Sequence, residues 1–164
     1  MLLLEDPSLA LRTGMRRLAA SVCVITTIDA VGQRQAMTAT SVTSVSDDPA
    51  SLLVCVNRHA GLYDTLAQKH RFAVNILSAQ HADISARCAG QETGESRFAV
   101  GDWGDALGLP YLRDAQAVFF CHTARHLVHG THLIVIGNVD KALITDHDTN
   151  PLLYADGRYR HLSH

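Results

Sequence analysis

Apolar positions recur along this chain in two rhythms. Near the start, Leu11, Met15, Leu18 and Val22 follow one another at helical spacing, with Asp6-Pro7 just ahead of them. Asp accepts from the first free amides of a helix and Pro suits its first turn, so a helix is expected over about 7–20. Residues 22–28 are β-branched or small, which favours a strand. Gly32 supplies a turn, and 35–46 reads as a second strand or strand pair. Asp47-Asp48-Pro49 breaks it, and 51–56 follows as a strand apolar on both faces.

Two short helices are predicted next. One covers about 61–68, with Leu62 and Leu66 inward; the other follows Ser78 as N-cap, with Ile84 and Cys88 on one face. Between them 72–77 is strand-like, and 90–112 reads as a long glycine-bearing excursion. The last strand candidates are 117–127, 133–144 and 152–154. Strands outnumber helices and do not alternate with them. The expected class is therefore mainly β, a barrel or sandwich with peripheral helices, rather than a doubly wound sheet. One domain over 1–164 is expected, with a barrel over about 21–160, and no repeat or linker interrupts it.

Composition sharpens this picture. Hydrophobic residues make up 47%, enough for a core, while charged residues are only 18%, below the roughly 25% usual in soluble proteins. A surface covered in part by a second subunit is expected. With 14 Lys plus Arg against 16 Asp plus Glu, no basic excess drives counterion release, so nucleic-acid binding is not expected. No apolar run approaches a membrane span, and Met1-Leu2-Leu3-Leu4 meets Glu5-Asp6 at once, unlike a secretory signal. Cysteines 23, 55, 88 and 121 form no CxxC pair. No disulfide framework is implied, and a cytoplasmic home is expected.

Several segments are candidates for chemistry. Residues 38–46 hold six hydroxyls in nine positions, donors without charge that suit a phosphate joined to a polyol. A half-exposed strand with a wet Thr/Ser face is the competing reading. The turn Asn57-Arg58-His59-Ala60-Gly61 leads from a buried strand into a helix and could face an anion, or be an ordinary turn. His126, His129 and His132 are spaced by three, which alternates faces on a strand, so no metal is expected. His132 follows a glycine turn and would stand at a barrel rim, either as a ligand contact or as a surface His. No Gly-x-Gly-x-x-Gly, Walker loop or nucleophile elbow is present.

These pieces line up in a known order. Val24-Ile25-Thr26-Thr27 after the first helix, Ala36-Met37-Thr38-Ala39-Thr40-Ser41-Val42, and Ser44-Val45-Ser46 with Pro49 come first. Leu53-Val54-Cys55-Val56-Asn57, Phe72-Ala73-Val74-Asn75-Ile76-Leu77, Gly130-Thr131-His132 and Gly157-Arg158-Tyr159 complete the series. From Leu11 to Leu162 the chain resembles the short-chain flavin reductases that serve two-component flavin-dependent monooxygenases. It is especially similar to reductase components of aromatic hydroxylases, such as the 4-hydroxyphenylacetate system, and to pyrimidine-degradation flavin reductases.

The resemblance implies an FMN-binding split β-barrel of Greek-key type. It implies FMN or FAD as flavin, NADH or sometimes NADPH as reductant, a homodimer, and a monooxygenase that receives reduced flavin. Carried over by residue, Thr38, Ala39, Thr40, Ser41, Val42, Ser44 and Val45 line the flavin. His59, Ala60, Gly61 and Leu62 supply its phosphate end, and Cys88 a further contact. His132, the candidate catalytic residue, and Asp156, Gly157, Arg158 and Tyr159 hold the nicotinamide nucleotide. Cys88 stands where many members have Phe, and Thr131 where many have Asp. A pyridoxamine-phosphate oxidase-like enzyme is the alternative, disfavoured because Lys occurs only at 69 and 141; a non-enzymatic flavin- or haem-binding module is another.

Overall fold

A computed structural model of the chain describes residues 3–68 and 70–162. Met1, Leu2, Lys69 and the tail at His164 lie outside the described residues. In chain order the elements are α1 (Pro7–Met15), β1 (Ala20–Ser21), β2 (Cys23–Ile28), β3 (Arg34–Ala39), β4 (Val42–Asp47) and β5 (Ala50–Asn57). Then come α2 (Tyr63–Ala67), β6 (Arg71–Ile76), α3 (Ala82–Ala86), β7 (Trp103–Ala106) and β8 (Leu109–Leu112). Last are β9 (Ala117–His129), β10 (His132–Ile144), β11 (Leu153–Ala155) and β12 (Arg158–Arg160).

Seven strands form one antiparallel sheet in the order β3-β2-β6-β9-β10-β5-β4. Its two edges, β3 and β4, are consecutive in the chain and joined only by Thr40 and Ser41. Three peptide units reach at most about 11 Å, so the sheet curls until its edges approach at that corner. Ser41 fixes the corner to β5: its carbonyl accepts from the Cys55 amide at 3.3 Å and its Oγ donates to the Cys55 carbonyl at 3.3 Å.

Period-two alternation divides the sheet's buried residues between two cores. Along β2, Cys23 and Ile25 join one cluster and Val24 the other; along β6, Phe72 and Val74 separate from Ala73 in the same way. The first core holds Leu52, Val54, Val56 and Leu133, joined by the fully buried Leu66 of α2 and Leu62 just ahead of it. The second lies under α3, the β7–β8 hairpin and Phe98. Both faces of β2 and β6 are therefore buried, and their polar Thr26, Thr27 and Asn75 are buried with them.

The structure corrects three sequence expectations and decides a fourth, the strand pair over 35–46. Helix α1 ends at Met15, not near residue 20, and none of its residues is buried. Leu11, Met15 and Leu18 are exposed, whereas Val22 is buried in the extended segment. The backbone beyond the helix is claimed elsewhere: Ala20 and Ser21 pair with β11, and the Val22 amide donates to the Leu152 carbonyl at 2.8 Å. The segment 35–46 is two strands at opposite edges of the sheet. The segment after Ser78 is a 3₁₀ turn, a short α3 and a π turn over Arg87–Gln91, not one helix. The excursion over 90–112 contains the β7–β8 hairpin, whose Leu107-Gly108 turn has both residues at positive φ.

Candidate functional site

Two contiguous grooves border the Thr40–Ser41 corner. The larger, about 680 Å³, has an apolar floor of Cys23, Leu52, Ile76, Phe119 and Val139. One wall is Thr40, Val42, Thr43, Ser44 and Ser46, with the carboxylate of Asp47 next in the strand; the other is residues 18–21. The hydroxyl wall exists because β4 is an edge strand, exposed along nearly all its length. A register shift between Ser44 and Ser46 bends it at Val45.

The six hydroxyls of 38–46 divide into two sets. Thr38 Oγ1 donates to the Ser85 carbonyl at 2.6 Å, Ser41 is held by Cys55, and Ser46 Oγ donates to the Asp48 carbonyl at 3.0 Å. These three are committed to the fold. Thr43 reaches only the Ser44 carbonyl, at 3.4 Å, and Thr40 and Ser44 bond no other group among the described residues. The uncommitted three all line the larger groove. Ala39 faces the first core and is buried.

The second groove, about 550 Å³, runs between α1 and the β11–β12 turn and shares Leu18, Ala20 and Thr40 with the first. Its lining includes Arg12, Arg16 and Arg17 on one side and Tyr154, Asp156 and Gly157 on the other. Asp156 and Gly157 have φ of 52° and 77°, the left-handed pair that a two-residue hairpin requires and that Asp-Gly tolerates. The Asp156 amide donates to the Arg16 carbonyl at 2.7 Å, which anchors the turn to the end of α1. Arg158 pairs with Asp156 at 3.8 Å, and the Tyr159 hydroxyl donates to Ser85 Oγ at 2.8 Å. The rings of Tyr154 and Tyr159 meet edge to face at 5.7 Å.

The remaining candidates lie elsewhere. His59 and Ala60 form a turn closed by Asn57, which accepts from the His59 amide on Oδ1 at 3.0 Å and from the Ala60 amide on its carbonyl at 2.9 Å. A Cβ on Gly61 would lie 3.0 Å from Gln35 Oε1, and Leu62 is fully buried. His132 faces Asn57 across the ladder, with Nδ1 3.0 Å from Thr131 Oγ1. The structure therefore gathers His132 with His59, and Thr40, Val42 and Ser44 with Asp156 and Gly157. His132 lines neither groove. Cys88 is buried in the second core, where desolvation pushes its thiol up to about 11 against the lowering pull of Arg97. Among the described residues no three His, Cys, Asp or Glu side chains converge as a metal site would require.

Sequence reasoning missed Arg12, Arg16 and Arg17. Their signal was available: an i, i+4 pair plus a neighbour beside a predicted helix end, in a chain with only 14 basic residues. It also missed Cys23 in the floor. Burial pushes that thiol up to about 12, so it stays neutral and is not a nucleophile. An apolar floor, a wall of neutral donors and a cationic end can bind a flat ring system that carries acceptors and phosphate.

Known proteins share this fold and sequence. A sequence profile described as a flavin reductase like domain matches residues 15–163. The chain is 40% identical over 157 residues to an FMN reductase (NADH) RutF of Agrobacterium fabrum, covering 95% of this chain and 89% of that protein. It is 39% identical over 150 residues to the reductase component of a FADH(2)-dependent resorcinol hydroxylase of a Rhizobium species, covering 90% and 83%. Among solved structures, BorF, the flavin reductase component of a bacterial two-component tryptophan halogenase, superposes with a TM-score of 0.85 at 31% identity, covering 94% and 98%. The NADH:FAD oxidoreductase SgcE6 of Streptomyces globisporus, in complex with NAD and FAD fragments, gives 0.88 at 29% identity, covering 99% and 98%.

Proposed function

This chain belongs to the flavin reductase-like domain family, and from that membership we propose that it is an NAD(P)H-dependent flavin reductase whose reduced flavin passes to a partner oxygenase. The observation that carries the reading is the larger groove: three hydroxyls with no role in the fold stand over an apolar floor. Its residues fit a flavin, since the floor can cover a ring face while Thr40, Thr43 and Ser44 donate to acceptors at the ring edge and side chain.

When bound, the flavin supplies the hydride acceptor and the nicotinamide nucleotide the donor. The chain's part is to bind, orient and exclude water. Cys23, Leu52, Ile76, Phe119 and Val139 keep solvent from one side of the groove. The neutral hydroxyls hold polar edges without adding charge. Hydride transfer requires no protein base, only two rings held in near contact, in keeping with a floor whose one titratable residue is the neutral thiol of Cys23. An open groove also suits a flavin that leaves as product.

The finer features belong to the same reading. The curled sheet, with its edges meeting at Thr40–Ser41, supports a split β-barrel. Exposed apolar residues outside both grooves, among them Leu11, Leu127 and Val128, support a homodimer that covers them. His132 and His59 lie on adjoining turns outside both grooves, so the proposed contacts for nicotinamide and flavin fall within the grooves instead. Four unpaired cysteines support a reducing, cytoplasmic location. Purified protein mixed with NADH or NADPH and with FMN, FAD or riboflavin tests the reading. Loss of nicotinamide absorbance that saturates with added flavin is expected; no oxidation with any pair leaves a binding module instead.

A further inference from the structure

The second groove carries positive charge that the chain does not balance. Arg12, Arg16 and Arg17 line it, and none of them forms an ion pair with a carboxylate among the described residues. The one acidic residue in its lining, Asp156, pairs with Arg158. The whole chain has a net charge of -2, so this concentration of cations is local. The three cations lie in and just beyond the last turn of α1, the end of a helix that favours positive charge. Their mutual repulsion remains, and an anion relieves it.

Two further features narrow the anion. The guanidinium of Arg16 approaches the β11–β12 turn at Gly157, where a Cβ would stand 4.0 Å from its Cζ. The exposed guanidinium thus lies beside the turn's backbone. Tyr154, 39% exposed and held edge to face by Tyr159, offers a ring in the same groove. Guanidinium groups match phosphate oxygens in pairs, and an exposed aromatic ring stacks on a purine. The groove opens into the hydroxyl-lined one through Thr40, Leu18 and Ala20.

Resting on the reading of this chain as a flavin reductase, we infer that the groove of Arg12, Arg16 and Arg17 binds the pyrophosphate and adenylate of a dinucleotide whose ring half lies in the adjoining groove. NAD(P)H and FAD share that half; FMN and riboflavin lack the adenylate.

ADP-ribose, which carries the shared half alone, is the binding probe, measured by calorimetry on the intact chain. Arg16→Gln and Arg17→Gln are each expected to weaken it about tenfold, the scale of one charge-assisted contact. Arg16→Lys should recover part of that loss, and the parent's affinity should fall with salt more steeply than either variant's. Kinetics identify the source. A rise in KM for NADH with riboflavin as acceptor, KM for riboflavin unmoved, assigns the groove to the nicotinamide dinucleotide. A rise in KM for FAD without one for FMN assigns it to the flavin dinucleotide. An equal rise for FMN and FAD, with NADH unchanged, places the flavin's own phosphate there and overturns the adenylate assignment. ADP-ribose affinity and every KM within twofold of the parent also overturn it. If the parent fails to oxidise NADH or NADPH with each of FMN, FAD and riboflavin, the flavin reductase reading fails first, and ADP-ribose binding still reports on the groove.

Discussion

Thr38 and Tyr159, on β3 and β12, converge on one buried residue. Thr38 Oγ1 donates to the Ser85 carbonyl at 2.6 Å and the Tyr159 hydroxyl donates to Ser85 Oγ at 2.8 Å. Ser85 is fully buried, so these bonds tie α3 to an edge of the main sheet and to the small β1-β11-β12 sheet. Tyr159→Phe leaves Ser85 Oγ without its donor and should destabilise the fold by about 1 kcal/mol. Ser85→Ala combined with Tyr159→Phe should cost little more than either alone, because both remove one interaction. Urea unfolding of the four proteins checks this; full additivity would mean that the two side chains act independently.

The hydroxyls of β3, β4 and their corner should separate by function. Thr38→Val removes a committed hydrogen bond and is expected to lower stability by roughly 1 kcal/mol with little change in KM for flavin. Thr40→Val and Ser44→Ala remove hydroxyls that serve no fold contact. They should leave the urea midpoint within about 0.5 kcal/mol of the parent and raise KM for flavin severalfold. The reverse pattern, stability lost at Thr40 and affinity lost at Thr38, contradicts the division. Measuring both quantities on the same preparations makes the contrast direct.

How much of this was legible in advance follows from range. The Asp6 cap, the strands β2 and β6, and the turn at Gly32 depend on neighbours in sequence, and local pattern revealed them; that β2 and β6 are buried on both faces was not read from it. The end of α1 depends on Leu152, far along the chain, whose carbonyl takes the Val22 amide; helical spacing of Leu18 and Val22 gave no warning of it. The β7–β8 hairpin has four-residue strands interrupted by Gly104 and Pro110, too short for alternation to register. At the site, the hydroxyl-rich segment was visible as composition. Which hydroxyls are free was not, because that depends on whether Ser85, Cys55 or Asp48 reaches each one.

Gly137 is a packing requirement of the first core. A Cβ there would lie 2.5 Å from Phe72 Cζ and 3.1 Å from Cys121 Cβ. Phe72 is fully buried and cannot retreat without disturbing its neighbours. Gly137→Ala should destabilise by roughly 1–3 kcal/mol through overpacking, despite the better strand propensity of alanine. Phe72→Leu in the same chain should restore part of the loss. Absence of rescue, with the single variant still destabilised, would locate the strain in the backbone of β10 instead.

Alkaline pH probes the buried thiols. Burial raises Cys23 and Cys121 from 9.0 to about 12 and Cys88 to about 11; the nearby Asp140 adds to the rise at Cys121. Below pH 9 these thiols are protonated in both folded and unfolded chains, so their contribution is fully present. As pH rises above 9, the unfolded chain releases their protons and the folded chain does not, so stability falls and continues to fall toward pH 12. The comparison that isolates the thiols is with Cys23→Ala and Cys121→Ala, whose melting temperatures should decline less steeply between pH 9 and 11. The same burial makes Cys55, half-buried on β5, the thiol that an aromatic disulfide reagent should reach first in the native protein at pH 8. Denaturant should expose the other three. Fast native reaction at Cys23 would show that the floor of the larger groove admits water, and the dry surface proposed to receive the flavin ring would have to be abandoned.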